Sequence, residues 1–589
     1  MHRFLLFFPF TLFLLTATGL QATVFPVEVE GGDEELRSNI SAHLGEIDLG
    51  SVEQLPSHLP AMNKSIRSAL EALGYYEGEW SIGTDRTGLN IKNRALLPGS
   101  RVIKVNVSPG KPVLIRKLDI RFSGSGEQQA EVVQLMRGLP LKERHRLRHW
   151  QYDQVKVDLL RTLLATGYLD ARYRESRLVV NKQEYWADIT LLLETGERYQ
   201  FGSVSYSGSE LNPILLDRLV DFQQDAYFSD EAFQKIRSRL SRSGYFERID
   251  VRSSKRLDAE TQSRYFDVLL NLKDQEAHYV DVGAGYSTDS GAKASLGWRW
   301  PRVSPGGNSL NGTLEVSAPE QKVDFGYRIP LKRPLVESLD WKLSWKSTQL
   351  ENTETKVTSL GVFYRNLRED NWQFSYGADF DLESYKAGES ETEQVLYVVP
   401  GASWQRSEIA EGLDPDSGYL VRLGVEGSHP SLGSDTTFFK TTFTARWLTR
   451  LYSPDWLLLT RMELGAILTN SLEEVPLSRR YFTGGDQSVR GFEYGTISPR
   501  NEEGDVIGGK FLNVFSAEVN YRILESWRLG VFYDTGRAFS DQSDPFFSSV
   551  GPGIRWLSPF GQIRFDLAFP LKGNDASNPR LHISLGKAL

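Results

Sequence analysis

From about residue 279 to the end, apolar and polar residues take turns. Val323, Phe325, Tyr327, Ile329 and Leu331 alternate with Asp324, Gly326, Arg328 and Pro330. Phe374, Tyr376, Ala378, Phe380 and Leu382 do the same against Ser375, Gly377, Asp379, Asp381 and Glu383, as do Ile563, Phe565, Leu567, Phe569 and Leu571 against Gln562, Arg564, Asp566, Ala568 and Pro570. Successive strand side chains point to opposite faces, so this period predicts strands with one apolar and one charged face. Upstream the period changes. In residues 66–73, 157–164 and 233–240 apolar positions recur three and four apart, which predicts helices. Each helix runs into a glycine and an aromatic: Gly74 and Tyr75, Gly167 and Tyr168, Gly244 and Tyr245. The glycine supplies the positive φ that ends a helix, and the aromatic is expected to open a strand. Each unit also begins with a short alternating strand closing on glycine, at Gly31, Gly124 and Gly208. One unit therefore reads strand, helix, helix, Gly-aromatic turn, strand, strand. Its recurrence three times predicts tandem α+β modules.

A soluble β-sandwich would also alternate. Three features favour a transmembrane barrel. The polar face is rich in Arg, Asp and Glu, as a wet lumen would be. Trp298, Trp300, Trp341, Trp345, Trp447, Trp456, Trp527 and Trp556 fall near segment ends, as interfacial girdles do. In lipid every backbone group must pair internally, which a closed barrel achieves. The third feature is the N-terminus, where His2 and Arg3 precede an apolar run over residues 4–15 and small residues lead to Ala22. That is the build of a signal peptide over 1–22, shorter than the ~20 apolar residues of a spanning helix. The span 277–589 leaves room for about fourteen to eighteen strands of ~9–11 residues, and the number should be even.

Composition narrows the chemistry. The net charge is −8, from 68 basic and 76 acidic residues, which gives no global pull toward nucleic acid. There is no cysteine, which excludes disulfides and thiol chemistry. No Ser/His/Asp order, metal-ligand spacing or phosphate loop stands out, so neither an enzyme nor a cofactor is expected.

The most informative segment is Gly484, Gly485, Asp486, Gln487, Ser488, Val489, Arg490, Gly491, Phe492. Alternation places Glu518 inward in 511–523 and Asp534 inward in 528–536. Two inward carboxylates on consecutive strands suit the planar fork of one guanidinium. Val489, Arg490, Gly491 and Phe492 look like the (V/I)RG(F/Y) loop of the Omp85 superfamily. The segments around Glu518 and Asp534 match that family's strand motifs, and the repeats resemble its POTRA modules. The resemblance implies three α+β POTRA modules (23–112, 113–198 and 199–276) followed by a 16-stranded antiparallel transmembrane β-barrel (277–589). It also implies a lumen lock in which Arg490 meets Glu518 and Asp534.

The barrel must close between a first strand at 279–286 and a last at 580–589. Gly283 and Gly285 are expected to weaken the first; Leu581, Ile583 and Leu585 should face lipid in the second, with Gly586 near its end. A weak seam could open sideways and template a client strand. Three modules, the barrel length and the ending 585–589 resemble the TamA branch of the family. That branch implies an outer-membrane protein with periplasmic modules and a TamB-like inner-membrane-anchored partner. Its expected work is insertion of client β-barrel proteins or autotransporters into the lipid bilayer. Two alternatives stand beside it: a pore that passes unfolded substrate through the lumen, and an outer-membrane dock for phospholipid transport between membranes.

Overall fold

The computed structural model describes residues 23–49, 54–84, 102–221, 223–368, 370–388, 391–410, 415–558, 561–572 and 578–586. The signal-peptide reading and residues 587–589 lie outside these. Two compact units divide the chain: 1–203 with 224–233 and 254–267, and 204–223 with 234–253 and 268–589.

The first module contains β1 (Thr23–Phe25), β2 (Val27–Glu30), α1 (Glu34–Leu44), β3 (Ile47–Leu49), α2 (Leu55–Ala72), β4 (Glu79–Thr84) and β5 (Ile103–Ser108). Its sheet runs β2-β5-β4, with β2 parallel and β4 antiparallel to β5. The second has β6 (Leu114–Gly124), α3 (Ala130–Arg137), α4 (His149–Ala165), β7 (Arg172–Asn181) and β8 (Trp186–Gly196), ordered β6-β8-β7. The third has β9 (Gln200–Ser207), α5 (Pro213–Val220), α6 (Asp230–Arg242), β10 (Phe246–Leu257) and β11 (Arg264–Asp274), ordered β10-β11-β9. In each the last strand is central. On β8, Ala187, Ile189, Leu191 and Leu193 are buried against Leu159 and Leu163 of α4. That is the strand period meeting the helix period.

The Gly-aromatic turns close their helices as expected, with φ of 83° at Gly74 and 102° at Gly167. The Tyr75 N–H donates back to Leu70 O (2.9 Å) and the Tyr168 N–H to Leu163 O (3.0 Å), capping the last carbonyls. The aromatic does not open a strand in the first two modules. Tyr75 and Tyr168 are buried in the cores, and β4 and β7 start several residues later. Only in the third does a strand begin at once, at Phe246. A ring this large gains more from core burial than from a pleated position.

Where the first module meets the second, Arg146 donates to Asp33 (2.8 Å), Glu35 and the Tyr75 hydroxyl (2.6 Å). Arg148 grips both oxygens of Glu35 at 2.8 Å. Asp33 also caps α1, accepting from the Leu36 N–H at 2.8 Å.

The barrel strands are β12 (Tyr279–Ser287), β13 (Gly291–Trp300), β14 (Ser309–Val316), β15 (Glu320–Pro330), β16 (Glu337–Leu350), β17 (Thr353–Leu367), β18 (Trp372–Ala387) and β19 (Glu393–Ile409). They continue as β20 (Gly418–Ser428), β21 (Phe438–Leu451), β22 (Trp456–Leu468), β23 (Phe511–Leu524), β24 (Trp527–Phe539), β25 (Phe547–Ser558), β26 (Gly561–Lys572) and β27 (Arg580–Gly586). They close in sequence order, each antiparallel to the next, so the sixteen strands meet the even-number expectation. The near end is where Tyr279 begins. Trp300, Trp372, Trp447, Trp456, Trp527 and Trp556 gather there, with Trp527 and Trp556 stacked at 5.6 Å and Trp456 against Tyr521 at 4.7 Å. Trp345 sits in the half of β16 away from this belt.

Candidate functional site

The chain between β22 and β23 does not stay outside the barrel. Val475, Tyr481, Val489, Phe492 and Ile497 are buried with Tyr397, Val399, Leu512, Val514 and Ala538 of the wall. This loop enters the lumen because some inward positions near the far end are apolar and need cover. Phe492 meets Phe547 edge-on at 5.3 Å.

Arg490 lies at the centre of this packing and is 5% exposed. Its Nε donates to Asp534 Oδ2 (2.7 Å) and Nη2 to Oδ1 (2.9 Å), a bidentate pair. Its Nη1 reaches Glu518 Oε2 (2.8 Å) and Asp566 Oδ2 (3.2 Å). Its backbone N–H adds a bond to Asp534 Oδ2 (3.1 Å), and the guanidinium lies 3.5 Å from the Phe532 ring centre. Three carboxylates from β23, β24 and β26 would repel one another if left with one cation. Arg555 on β25 supplies a second, donating to Glu518 Oε1 (2.9 Å) and lying 2.6 Å from Asp566 Oδ1. Such a network satisfies charges that are costly to bury unpaired. Gly491 follows at φ 94°, where a Cβ would press on Pro570 (3.3 Å) and Ala568 (3.4 Å). Gly484 and Gly485 also have positive φ, 117° and 99°, and a Cβ on Gly484 would lie 2.3 Å from Glu493 O.

The structure thus brings Val489, Arg490, Gly491, Phe492, Glu518 and Asp534 together. Sequence reasoning missed Asp566, Arg555 and Phe532. Asp566 was visible as an inward acid on its strand, but alternation does not say at what height it sits. It also missed a second tether on the opposite wall. The Ser478 N–H and hydroxyl donate to Glu383, which also accepts from Tyr397 OH (2.6 Å). Arg479 donates to Asp381 of β18 and to Glu426 of β20 (3.0 Å). The loop is therefore a strut held at both walls.

The predicted seam strands are where expected, β12 and β27. Leu581 faces outward, with Ile583 and Leu585 on the same face, and Gly586 ends β27. The expectation for Gly283 and Gly285 needs correcting. β12 pairs with β13 along its whole length, from Tyr279↔Arg299 to Ser287↔Gly291, glycines included. Ladder bonds use backbone groups, which glycine keeps. The weakness is on the other edge. Among the described residues β12 pairs with β27 only at Ser287↔Ser584, with a neighbouring bond from Thr288 N–H to Ile583 O (3.2 Å). A Cβ on Gly285 would lie 3.6 Å from Leu585 O, so the strands still run side by side there.

The Omp85 superfamily domain matches residues 275–589. The chain belongs to the Omp85 superfamily. A POTRA domain of the type "TamA domain 1" matches residues 26–96. The outer membrane protein assembly factor BamA of Nitratidesulfovibrio vulgaris is 24% identical over 483 residues, 73% of this chain and 57% of the relative. BamA of Neisseria meningitidis serogroup B is 23% identical over 539 residues, 80% of this chain and 66% of the relative. The chain therefore spans less than two thirds of the length of these relatives. The crystal structure of BamA from Haemophilus ducreyi lacking POTRA domains 1–3 superposes with a TM-score of 0.70 at 19% identity, covering 80% of this chain and 99% of that one. As in other members, the barrel lies in the outer membrane with its POTRA modules in the periplasm. The near end of the barrel is periplasmic and the strut loop enters from outside.

Proposed function

We propose that this protein inserts β-barrel proteins or autotransporters into the outer membrane by sideways opening between β12 and β27. The observation that carries this is the seam, joined at one residue pair among the described residues while every other neighbouring pair of strands is joined at seven or more. Opening there breaks little backbone pairing and bares two edges that can accept a client strand. Among the described residues β27 spans 7 residues and β12 spans 9, at or below the ~9–11 that cross a bilayer. Short strands at the seam would thin the lipid beside them, which lowers the barrier to insertion. No covalent step and no cofactor is required. The relatives named as outer membrane protein assembly factors support this reading, and the TamA-type first module supports a TamB-like partner anchored in the inner membrane. A pore through the lumen is less favoured, because Arg490 and Arg479 tie the loop across it from both walls.

The test uses the absence of native cysteine. A Ser287→Cys/Ser584→Cys pair spans the one register pair, where Cα separations fall within disulfide range. Client insertion into liposomes is followed oxidised and reduced. The expected result is loss of insertion on oxidation and recovery on reduction. Full insertion with the seam locked would overturn the reading and favour lumen passage or a dock for phospholipid transport.

A further inference from the structure

Among the described residues the seam has few backbone bonds, yet the strut loop holds both of its edges. On the β12 side, Ser287 Oγ donates to Asp486 Oδ2 (2.8 Å), and the Asp486 N–H donates to Asp289 Oδ2 (2.5 Å) in the β12–β13 turn. Five residues on, the Gly491 N–H donates to His582 Nε2 of β27 (2.8 Å). Glu493 then pairs with Arg580, also of β27 (2.5 Å). Between the two edges, His582 Nδ1 lies 3.5 Å from Asp289 Oδ2. The His582 and Asp289 side chains are enclosed, 2% and 3% exposed, whereas Glu493 is 59% exposed. Accepting from Gly491 leaves Nε2 without a proton, so the proton of the neutral ring sits on Nδ1, facing Asp289.

We infer that Asp486, Asp289 and His582 form a polar latch that closes the seam in place of strand pairing. His582 is the positioning residue that joins the loop to β27. Because the same short stretch, 486–493, carries Arg490, release of the loop from the lumen and opening of the seam are one event. A loop seated by Arg490 presents Asp486 to one edge and the Gly491 N–H to the other. A loop that leaves the lumen withdraws both together, and among the described residues the pair Ser287↔Ser584 and the Thr288–Ile583 bond remain. The inference rests on the lateral-opening reading above and adds what holds the gate shut.

The experiment reads the seam directly. Nitroxide labels on Val282→Cys and Leu581→Cys, both outward-facing and neither touching the loop, report the distance across it in the full-length protein in lipid nanodiscs. His582→Phe keeps a ring but no acceptor, and Asp486→Ala removes the acceptor for the Ser287 hydroxyl from the loop without altering a strand. Heat-modifiable migration on a gel establishes that each variant is folded. Each is expected to raise the population of long distances about tenfold, the equivalent of one hydrogen bond to a charged group. His582→Gln, whose side-chain oxygen can accept from the Gly491 N–H, is expected to restore the short distance. A structural role for the ring alone would not give that rescue. If folded Asp486→Ala and His582→Phe both keep the unaltered protein's distance distribution, the latch is wrong. Client insertion is measured on the same samples. A seam that responds while no client inserts under any condition leaves the latch standing and removes the assembly reading; the reverse removes the latch alone.

Discussion

Two of the places where arginine joins separate stretches of chain differ in their surroundings. At the junction of the first two modules, Arg146 and Arg148 bind Asp33 and Glu35, whose side chains are 48% and 37% exposed. In the lumen, Arg490 binds carboxylates that are almost wholly enclosed. The donor geometry is similar, since Arg148 and Arg490 each grip a carboxylate with two nitrogens. What differs is the cost of breaking the pair. Water replaces the partner at the junction, whereas in the lumen a lone carboxylate stays buried. The same chemistry therefore gives a pair that breaks at little cost in one place and at high cost in the other.

The largest effect is expected at the anchor. Arg490→Ala should destabilise the seated loop by ~3–5 kcal/mol, because Asp534, Glu518 and Asp566 lose their common cation. Protease cleavage within 484–497 on intact cells or proteoliposomes measures this; wild-type resistance in the variant would place the loop's stability elsewhere. Arg490→Lys sharpens the point. It keeps the charge but not the fork or the ring contact with Phe532, so it should recover less than half of the loss.

Arg479→Gln tests the intermediate case. Its side chain is 19% exposed, and its loss strips the buried Asp381 of its cation. A cost of about 2 kcal/mol in loop protection is expected. Cleavage should move toward the entering arm of the loop while residues around Arg490 stay protected.

The smallest effect belongs to the arm. Glu35→Gln should change stability by no more than ~1 kcal/mol, since exposed pairs contribute little. Its pH dependence carries the sign. The hydrogen bond from Arg148 holds the Glu35 carboxyl below its ordinary value of 4.5. A lowered folded value means the contribution is fully present above the unfolded value and is lost as pH falls through the folded one. Label distances across the junction should thus be constant at neutral pH and broaden only well into acid. Broadening near neutral pH would assign the joint to another group.

Much of this architecture was legible before any coordinates. The change from helical to strand period near residue 277 separates arm from barrel, and alternation alone turned Glu518 and Asp534 inward. The Val489–Arg490–Gly491–Phe492 run marked the loop that enters the lumen. Two expectations failed because local features were read as if they acted alone. Tyr75 and Tyr168 were assigned to strands but fill module cores. Gly283 and Gly285 were expected to weaken β12, yet it pairs fully with β13. Burial decided the first and backbone hydrogen bonding the second.

Side-chain period is a property of neighbouring residues, so the sequence by itself determined which faces are apolar, how many modules repeat and which acids point inward. Height within a barrel and the identity of the strand across the lumen depend on shear and closure, which involve all sixteen strands at once. Only the tertiary structure could therefore bring Asp566 and Arg555 to Arg490, Asp381 and Glu426 to Arg479, and His582 to the loop. It alone decided that, among the described residues, the first and last strands share one residue pair, because that register is set by closing the ring and by no local pattern.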